Sequence, residues 1–423
     1  MKPITSITAI VFAVALFQAA SLAKEDPAPD ASGSLIETRT GRFDAHYPVL
    51  PEYESNALVA QSCSRNNHLP LPLFTRAELW KRAGEQEAKQ DLKRPGNGGP
   101  KTDAEDPPGY QVYVPADYSQ GKLFGLIVWN SAGPRGDIPE AFRAVCDKHH
   151  LIWFGAENVG NYRNSAWRIY IPLEAATQAR RRFTIDPQRV YISGGSGGGR
   201  VSSRAALFYP DTFNGAIYII GCDYYRNVPA TNHAGQMWTG FWPQPDIQLI
   251  NRAKADSRIV ILEGSKDPNL DDATDFYHAY QKDGFKHITY LEVPGMGHMM
   301  PPREWFEKAV AALDETLAEA DVLESRGKSF EQLKEHGEAY LTYARLALRE
   351  PTTPRGQAAQ QKAQAIYADF MTQVAAVREK IRSGSATQAN ASLTALRSKF
   401  GILVADLAPG LAEQVRSLKP PAK

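Results

Sequence analysis

The chain has 423 residues, which is too many for one small domain and suits one large α/β domain with an accessory region. Hydrophobic residues make up 43% of it, as in an ordinary globular protein. The formal net charge of +1 gives no reason to expect a nucleic acid as partner. No group of Cys and His residues has metal-site spacing, so we predict neither a metal nor a cofactor.

The N-terminus has the pattern of an export signal. Lys2 precedes an apolar run over residues 7–17, and Ser21-Leu22-Ala23 fits a small-x-small cleavage site. The run is too short for a membrane span. We predict a signal peptide over 1–23 and a secreted or periplasmic protein with no membrane span in the mature chain; an uncleaved anchor is the alternative. Export allows one disulfide among three cysteines, and three buried thiols are equally compatible: Cys63, Cys146 and Cys222.

Two flanking regions differ in composition from the middle of the chain. Residues 24–108 form a predicted N-terminal extension, partly disordered, with one helix over Arg76–Gln90. Residues 316–423 are rich in Ala, Glu, Gln, Lys and Arg, with helical patterns separated by breaks. They predict a helical appendage, and its charge runs are those of solvated helix faces.

Between these flanks, over 109–315, predicted strands alternate with predicted helices. The strands are YQVYVP, KLFGLIVWN, LIWFGAE, RVYISGG, GAIYII, RIVILEG and HITYLEVP. The helices are IPEAFRAVCDKH, LEAATQARRRF, DATDFYHAYQKDG and REWFEKAVAALDETL. This alternation predicts a mostly parallel sheet with helices on both faces. A site in such a domain lies at the carboxyl ends of the strands.

The stretch RVYISGGSGGGRVSSRAALF follows this pattern from a strand into a helix. It contains G-x-S-x-G around Ser196, the motif that holds a serine hydroxyl on a sharp strand-to-helix turn. A phosphate-binding loop needs Gly-Lys-Ser/Thr after its glycines, and Arg200-Val201 stands there instead. We therefore predict Ser196 as a nucleophile, and the alternative is a structural glycine turn.

A serine nucleophile needs a base to accept its proton and a carboxylate to orient the base. Asp267 follows the strand RIVILEG and is the predicted acid, with Asp271 and Asp272 as rivals that better suit the start of the next helix. His298, in the glycine-flanked loop GMGHMMPP, is the predicted base, and His233 is a distant rival.

Acyl transfer also needs hydrogen-bond donors for a tetrahedral oxyanion. We predict the backbone N–H of Gly197 as one donor and that of Ser131 or Ala132, after the strand KLFGLIVWN, as the other. Aromatic residues in the insert after GAIYII and at one rim position can line a substrate pocket or simply hold the insert in place; they include Trp167, Tyr224, Trp238 and Trp242.

Together these residues resemble the α/β-hydrolase superfamily, over about residues 110–315. The segment IDPQRVYISGGSGGGRVSS is most similar to its secreted esterase branch, which includes poly(3-hydroxybutyrate) depolymerase-like and feruloyl or acetylxylan esterase-like enzymes. The resemblance implies a triad of Ser196, Asp267 and His298. The chain departs from the family at Asn130-Ser131, where the family commonly has His-Gly.

These observations predict an exported serine hydrolase that cleaves small or polymeric carboxylic esters through an acyl-enzyme. A serine peptidase on the same fold is the first alternative. A non-catalytic surface interaction protein with a vestigial triad is the second, and the intact Ser, Asp and His in order argue against it.

Overall fold

The computed structural model describes residues 36–47, 109–161, 165–240, 245–315, 317, 319–408 and 410–418, apart from a few side chains. The predicted signal peptide, Cys63 and the predicted helix Arg76–Gln90 lie outside these residues. None of the described helices combines the length and apolar character needed to cross a bilayer.

One eight-stranded sheet organises the central part of the chain. Its strands are β1 (Gly41–His46), β2 (Gly109–Val114), β3 (Phe124–Asn130), β4 (Leu151–Ala156), β5 (Ile185–Gly195), β6 (Gly215–Ile219), β9 (Arg258–Gly264) and β10 (His287–Val293). A separate pair, β7 (Val228–Pro229) and β8 (Met237–Trp238), lies in the insert after β6. The order in the sheet is β1-β2-β4-β3-β5-β6-β9-β10, with antiparallel pairing at β1–β2 and β2–β4 and parallel pairing elsewhere.

The central strands are apolar along their whole length because both faces of the sheet are covered. Every residue of β3 and of β9 is buried. In β3, Leu126 and Val128 belong to the core on one face, and Ile127 and Trp129 belong to the core on the other. Continuous burial of this kind is typical of parallel strands between helical layers, and it confirms the predicted fold class.

The first strand lies in a region that sequence analysis assigned to the N-terminal extension. β1 pairs with β2 from Gly41↔Val114 to His46↔Gly109. Its burial alternates, as expected for an edge strand with one solvated face. The predicted catalytic boundary at residue 109 therefore leaves out a strand of the sheet, because a short, mostly polar edge strand carries little apolar signal.

Six helices accompany the sheet in the described residues up to 315: α1 (Glu140–Lys148), α2 (Ser165–Arg182), α3 (Gly197–Phe208), α4 (Ile247–Asp256), α5 (Leu270–Lys282) and α6 (Arg303–Asp314). Helix α2 begins earlier than the predicted LEAATQARRRF and carries Pro172 inside it. Helix α4 was not predicted; Asp246 caps it by accepting a bond from Gln248 N at 2.7 Å.

The C-terminal region is helical and has a core of its own. It contains α7 (Ala320–Gln332), α8 (His336–Arg349), α9 (Pro354–Arg382), α10 (Ala386–Phe400), α11 (Ile402–Leu407) and α12 (Leu411–Ser417). This core also takes in Leu123, which directly precedes β3. Arg345 of α8 makes a two-pronged ion pair with Asp186 of β5, at 2.8 and 3.0 Å. The appendage therefore packs at the amino ends of β3 and β5, opposite the edge where a site is expected.

The two cysteines within the described residues are free. Cys146 and Cys222 are both fully buried, and burial raises the pKa of each thiol. The structure therefore contains no disulfide between these two residues.

Candidate active site

Ser196 lies on a sharp turn between β5 and α3. It has a positive φ of 54° with ψ of −121°, a conformation that costs free energy for a residue with a side chain. Its N–H donates to Ile219 O of β6 at 2.9 Å, and its carbonyl accepts from Arg200 N at 3.1 Å. The turn is thus held from the neighbouring strand and from the first turn of the helix.

The glycines around this turn are required by close backbone contacts. A Cβ on Gly198 would lie 2.1 Å from Asn130 O, at the end of β3. A Cβ on Gly199 would lie 2.2 Å from Gly221 O, just beyond β6. Helix α3 therefore starts in contact with both strands beside β5, and only glycine leaves the necessary space.

A continuous chain of hydrogen bonds joins Ser196, His298 and Asp267. His298 Nε2 lies 2.8 Å from Ser196 Oγ, and His298 Nδ1 lies 2.8 Å from Asp267 Oδ2 and 3.1 Å from Oδ1. The Asp267 side chain is fully buried, whereas the His298 side chain is 39% exposed. If Nδ1 carries the proton, it donates to the carboxylate, and Nε2 is then free to accept the serine proton.

Two loops at the carboxyl edge bring these residues together. Lys266 N donates to Met296 O at 2.9 Å, and a Cβ on Gly264 would lie 2.3 Å from the same oxygen. The loop after β10 therefore lies directly on the end of β9. This contact places His298 over Asp267, although the two are 31 residues apart in the chain.

The rival residues have other partners. Asp271 and Asp272 are in the first turn of α5, as the sequence indicated. Asp272 forms an ion pair with Arg200 at 2.5 Å. Asp271 accepts a bond from Asn232 Nδ2 at 2.8 Å and lies 3.4 Å from His233 Nε2. His233 therefore faces α5 and not Ser196.

A buried glutamate, Glu263, lies at the end of β9, near the carboxylate of Asp267. Glu263 is 0% exposed, and its Oε1 accepts a bond from Gly264 N at 3.1 Å. Oε2 has no hydrogen-bond partner in the described part of the chain. Burial, with a smaller contribution from the negative charges of Asp267 and Asp272, raises the pKa of Glu263 to about 8. Sequence analysis did not single out this residue, because it reads as part of the strand RIVILEG.

The predicted oxyanion donors lie around the start of α3. Gly197 is its first residue and lines the cavity beside Ser196. A Cβ on Gly198 would lie 3.2 Å from Ser131 C, so the loop after β3 packs against this helix start. Ser131 O accepts from Arg168 Nη2 at 3.1 Å, and Ala132 O accepts from Asn161 N at 2.9 Å. These bonds fix the loop, but neither Ser131 nor Ala132 lines the cavity.

Two of the four predicted substrate-binding aromatics have side chains that the structure describes, and neither of these lines the cavity. Tyr224 is 2% exposed and donates to Asp283 Oδ2 at 2.6 Å. Trp238 Nε1 donates to Asp275 Oδ2 at 2.8 Å. Both aspartates belong to α5 or its end, so these rings anchor the insert on that helix, which is the alternative role that the sequence left open for them. Trp242 and the side chain of Trp167 lie outside the described residues.

Ser196 opens instead into a polar cavity of about 530 Å³. The lining residues are Asn161, Arg168, Ser196, Gly197, Arg200, Val201, Arg204, Asp223, Pro268, Asn269 and His298. Sequence reasoning missed its three arginines. Arg200 and Arg204 follow Ser196 at intervals of four residues in a helical segment. Residues at this spacing share one face of a helix, so the sequence could have indicated that both lie on the side of Ser196. In the described part of the chain, no group of three or more His, Cys, Asp or Glu side chains could hold a metal ion.

Comparisons with known proteins agree with this architecture. The model of the prolyl oligopeptidase family matches residues 172–321, about a third of the chain. A search of curated proteins found no match.

Several solved structures resemble about half of the chain. Esterase 2 of Thermogutta terrifontis, phosphonylated by cyclosarin, is 18% identical, with 51% of this chain and 90% of that chain covered and a TM-score of 0.36. S-formylglutathione hydrolase from Staphylococcus aureus is 15% identical, with 50% and 90% covered and a TM-score of 0.35. Est1E from Butyrivibrio proteoclasticus is 14% identical, with 48% and 91% covered and a TM-score of 0.34. These values are too low to transfer a substrate or a residue role.

The strand order, the turn at Ser196 and the partial family match point to the same class of protein. The chain has the α/β-hydrolase fold with a C-terminal helical appendage, and its organisation is that of a serine hydrolase.

Proposed function

We propose that the protein is an exported serine esterase. Ser196 attacks the ester carbonyl while His298 accepts its proton, and Asp267 holds the imidazole and stabilises its charged form. The alcohol leaves with a proton from His298, and water then hydrolyses the acyl-enzyme by the same route. The observation that carries this proposal is the unbroken hydrogen-bond chain from Ser196 Oγ to the buried carboxylate.

In this proposal, the start of α3 provides one of the oxyanion donors. The N–H of Gly197 belongs to the first residue of the helix, where backbone donors have no partner within the helix and the dipole favours negative charge. A second donor from Ser131 or Ala132 remains part of the proposal, supported by the packing of their loop against this helix start.

A serine peptidase is the second candidate, and the family match is the specific observation that favours it. Ester and amide hydrolysis use the same groups, so the arrangement around Ser196 does not separate them. The two candidates differ in the substrates that they cleave. A panel of p-nitrophenyl esters, feruloyl esters, polyester film and peptides therefore distinguishes an esterase from a peptidase.

The decisive variant is Ser196→Ala. We expect it to fold and to lose almost all esterase activity, because removing a triad nucleophile costs on the order of 10⁶-fold in kcat. A fluorophosphonate should label the wild type at Ser196 and leave the variant unlabelled. Labelling at Ser193, Ser202 or Ser203 would contradict the assignment.

Export is tested by mass spectrometry, which should find a mature N-terminus near Lys24, and an intact Met1 on the mature protein would refute it.

A further inference from the structure

Three arginine side chains surround the cavity beside Ser196. Arg200 and Arg204 follow the serine at intervals of four residues in the helix, so they continue along the face of α3 that begins at the serine. Arg168 reaches the cavity from α2 and is 5% exposed. It donates to the carbonyls of Val159 and Ser131, which fixes its guanidinium in place.

The lining residues that the structure describes include three arginines and one carboxylate. Among the described residues that line the cavity, Asp223 is the one carboxylate, and it is shared by two guanidiniums. Arg200 Nη1 donates to Asp223 Oδ1 at 3.0 Å, and Arg204 Nε donates to Oδ2 at 2.7 Å. Asp272 also forms an ion pair with Arg200, but it does not line the cavity.

The distance from the serine limits where a bound anion would lie. A helix rises about 1.5 Å per residue, so Arg200 and Arg204 start roughly 6 and 12 Å along the axis from Ser196. Their side chains are 31% and 27% exposed, and so remain accessible from the cavity. An anionic group a few bonds from the scissile carbonyl would therefore lie among the guanidiniums, whose planar donors suit a carboxylate.

We propose that the cavity selects esters that carry a carboxylate on the acyl or the alcohol part. This proposal rests on the proposed esterase function and adds a substrate class to it. Neutral esters of the same size have no anionic group for the arginines to bind, so the cavity stabilises them less.

The test compares charged and neutral esters of matched size. In the acyl arm, 4-nitrophenyl hydrogen adipate is compared with its methyl ester. In the alcohol arm, 4-acetoxybenzoate is compared with methyl 4-acetoxybenzoate. We expect the ratio of kcat/KM, charged over neutral, to exceed 1 by about 5- to 10-fold in one arm, after correction for alkaline hydrolysis rates. It should fall as ionic strength rises, because salt screens partly exposed charges.

Two cavity variants should move this ratio in opposite directions. Arg204→Gln removes a positive charge and should lower the ratio, whereas Asp223→Asn removes the shared negative charge and should raise it. Arg382→Gln is the matched control, because Arg382 is 60% exposed on the helical appendage and its loss should leave the ratio unchanged.

The outcomes separate this proposal from the one on which it rests. A ratio at or below 1 in both arms, or one that Arg204→Gln and salt leave unchanged, overturns the anionic-substrate proposal if hydrolysis still depends on Ser196. Hydrolysis that survives Ser196→Ala overturns the esterase proposal itself. The salt dependence of the wild type decides the matter even if a cavity variant fails to fold.

Discussion

Replacement of the buried Glu263 by Gln should change how the stability of the protein depends on pH. Glu263 is 0% exposed at the end of β9, and burial raises its pKa from 4.5 to about 8. The folded state therefore keeps a proton that the unfolded chain releases above about pH 4.5. The free energy of unfolding of the wild type should fall between pH 4.5 and 8 and level off above that.

The size of this fall follows from the pKa. One pKa unit corresponds to about 1.36 kcal/mol, so ionisation of Glu263 costs the fold on the order of 5 kcal/mol by pH 9. Glutamine has nearly the same shape and stays neutral, so Glu263→Gln should lose this part of the pH dependence. Its amide adds a buried donor, which costs about 1–3 kcal/mol at every pH and leaves the difference between two pH values unaffected.

Urea denaturation of both proteins at pH 5, 7 and 9 measures the effect. The stability of Glu263→Gln relative to the wild type should rise by several kcal/mol between pH 5 and pH 9. Glu292→Gln is the control, because Glu292 is the register partner of Glu263 on β10 but is exposed. Parallel pH curves for wild type and Glu263→Gln would refute the reasoning, as would an equal effect from Glu292→Gln.

Two further predictions concern the docking of the appendage and the candidate site. Arg345→Met should destabilise the protein by about 3–5 kcal/mol in urea denaturation, because it leaves the fully buried carboxylate of Asp186 without its guanidinium. Adding Asp186→Asn should recover part of the loss, and full stability of the single variant would show that the ion pair does not hold the appendage. Asp267→Asn should lower esterase kcat by several orders of magnitude, and adding His298→Ala should cost little more, because the two act on one proton. Multiplied effects in the double variant would contradict that arrangement.

The residues that sequence analysis placed correctly are those whose local pattern reflects their surroundings. The run RIVILEG reads as a buried strand because helices cover both of its faces. Ser196 stands out because its turn needs glycines where backbones nearly touch. Asp267 and His298 could be chosen because each follows a strand at the carboxyl edge; in the structure His298 contacts the serine, and Asp267 contacts His298.

The features that sequence analysis left open or missed have partners that are distant in the chain. Tyr224 and Trp238 resemble pocket residues in sequence, but their polar atoms bond to Asp283 and Asp275, more than thirty residues away. Strand β1 has too few apolar residues to be recognised without its partner β2.

The sequence by itself determined the class of fold, the strand-to-helix turn at Ser196 and the order of serine, aspartate and histidine. These features depend on hydrophobic periodicity, glycine content and position relative to a strand, all of which are local. Only the tertiary structure decided the strand order, the position of the appendage opposite Ser196 and the ion pairs among the residues that line the cavity. The reason is that packing of the sheet joins groups such as Arg204 and Asp223, whose ion pair no local pattern encodes.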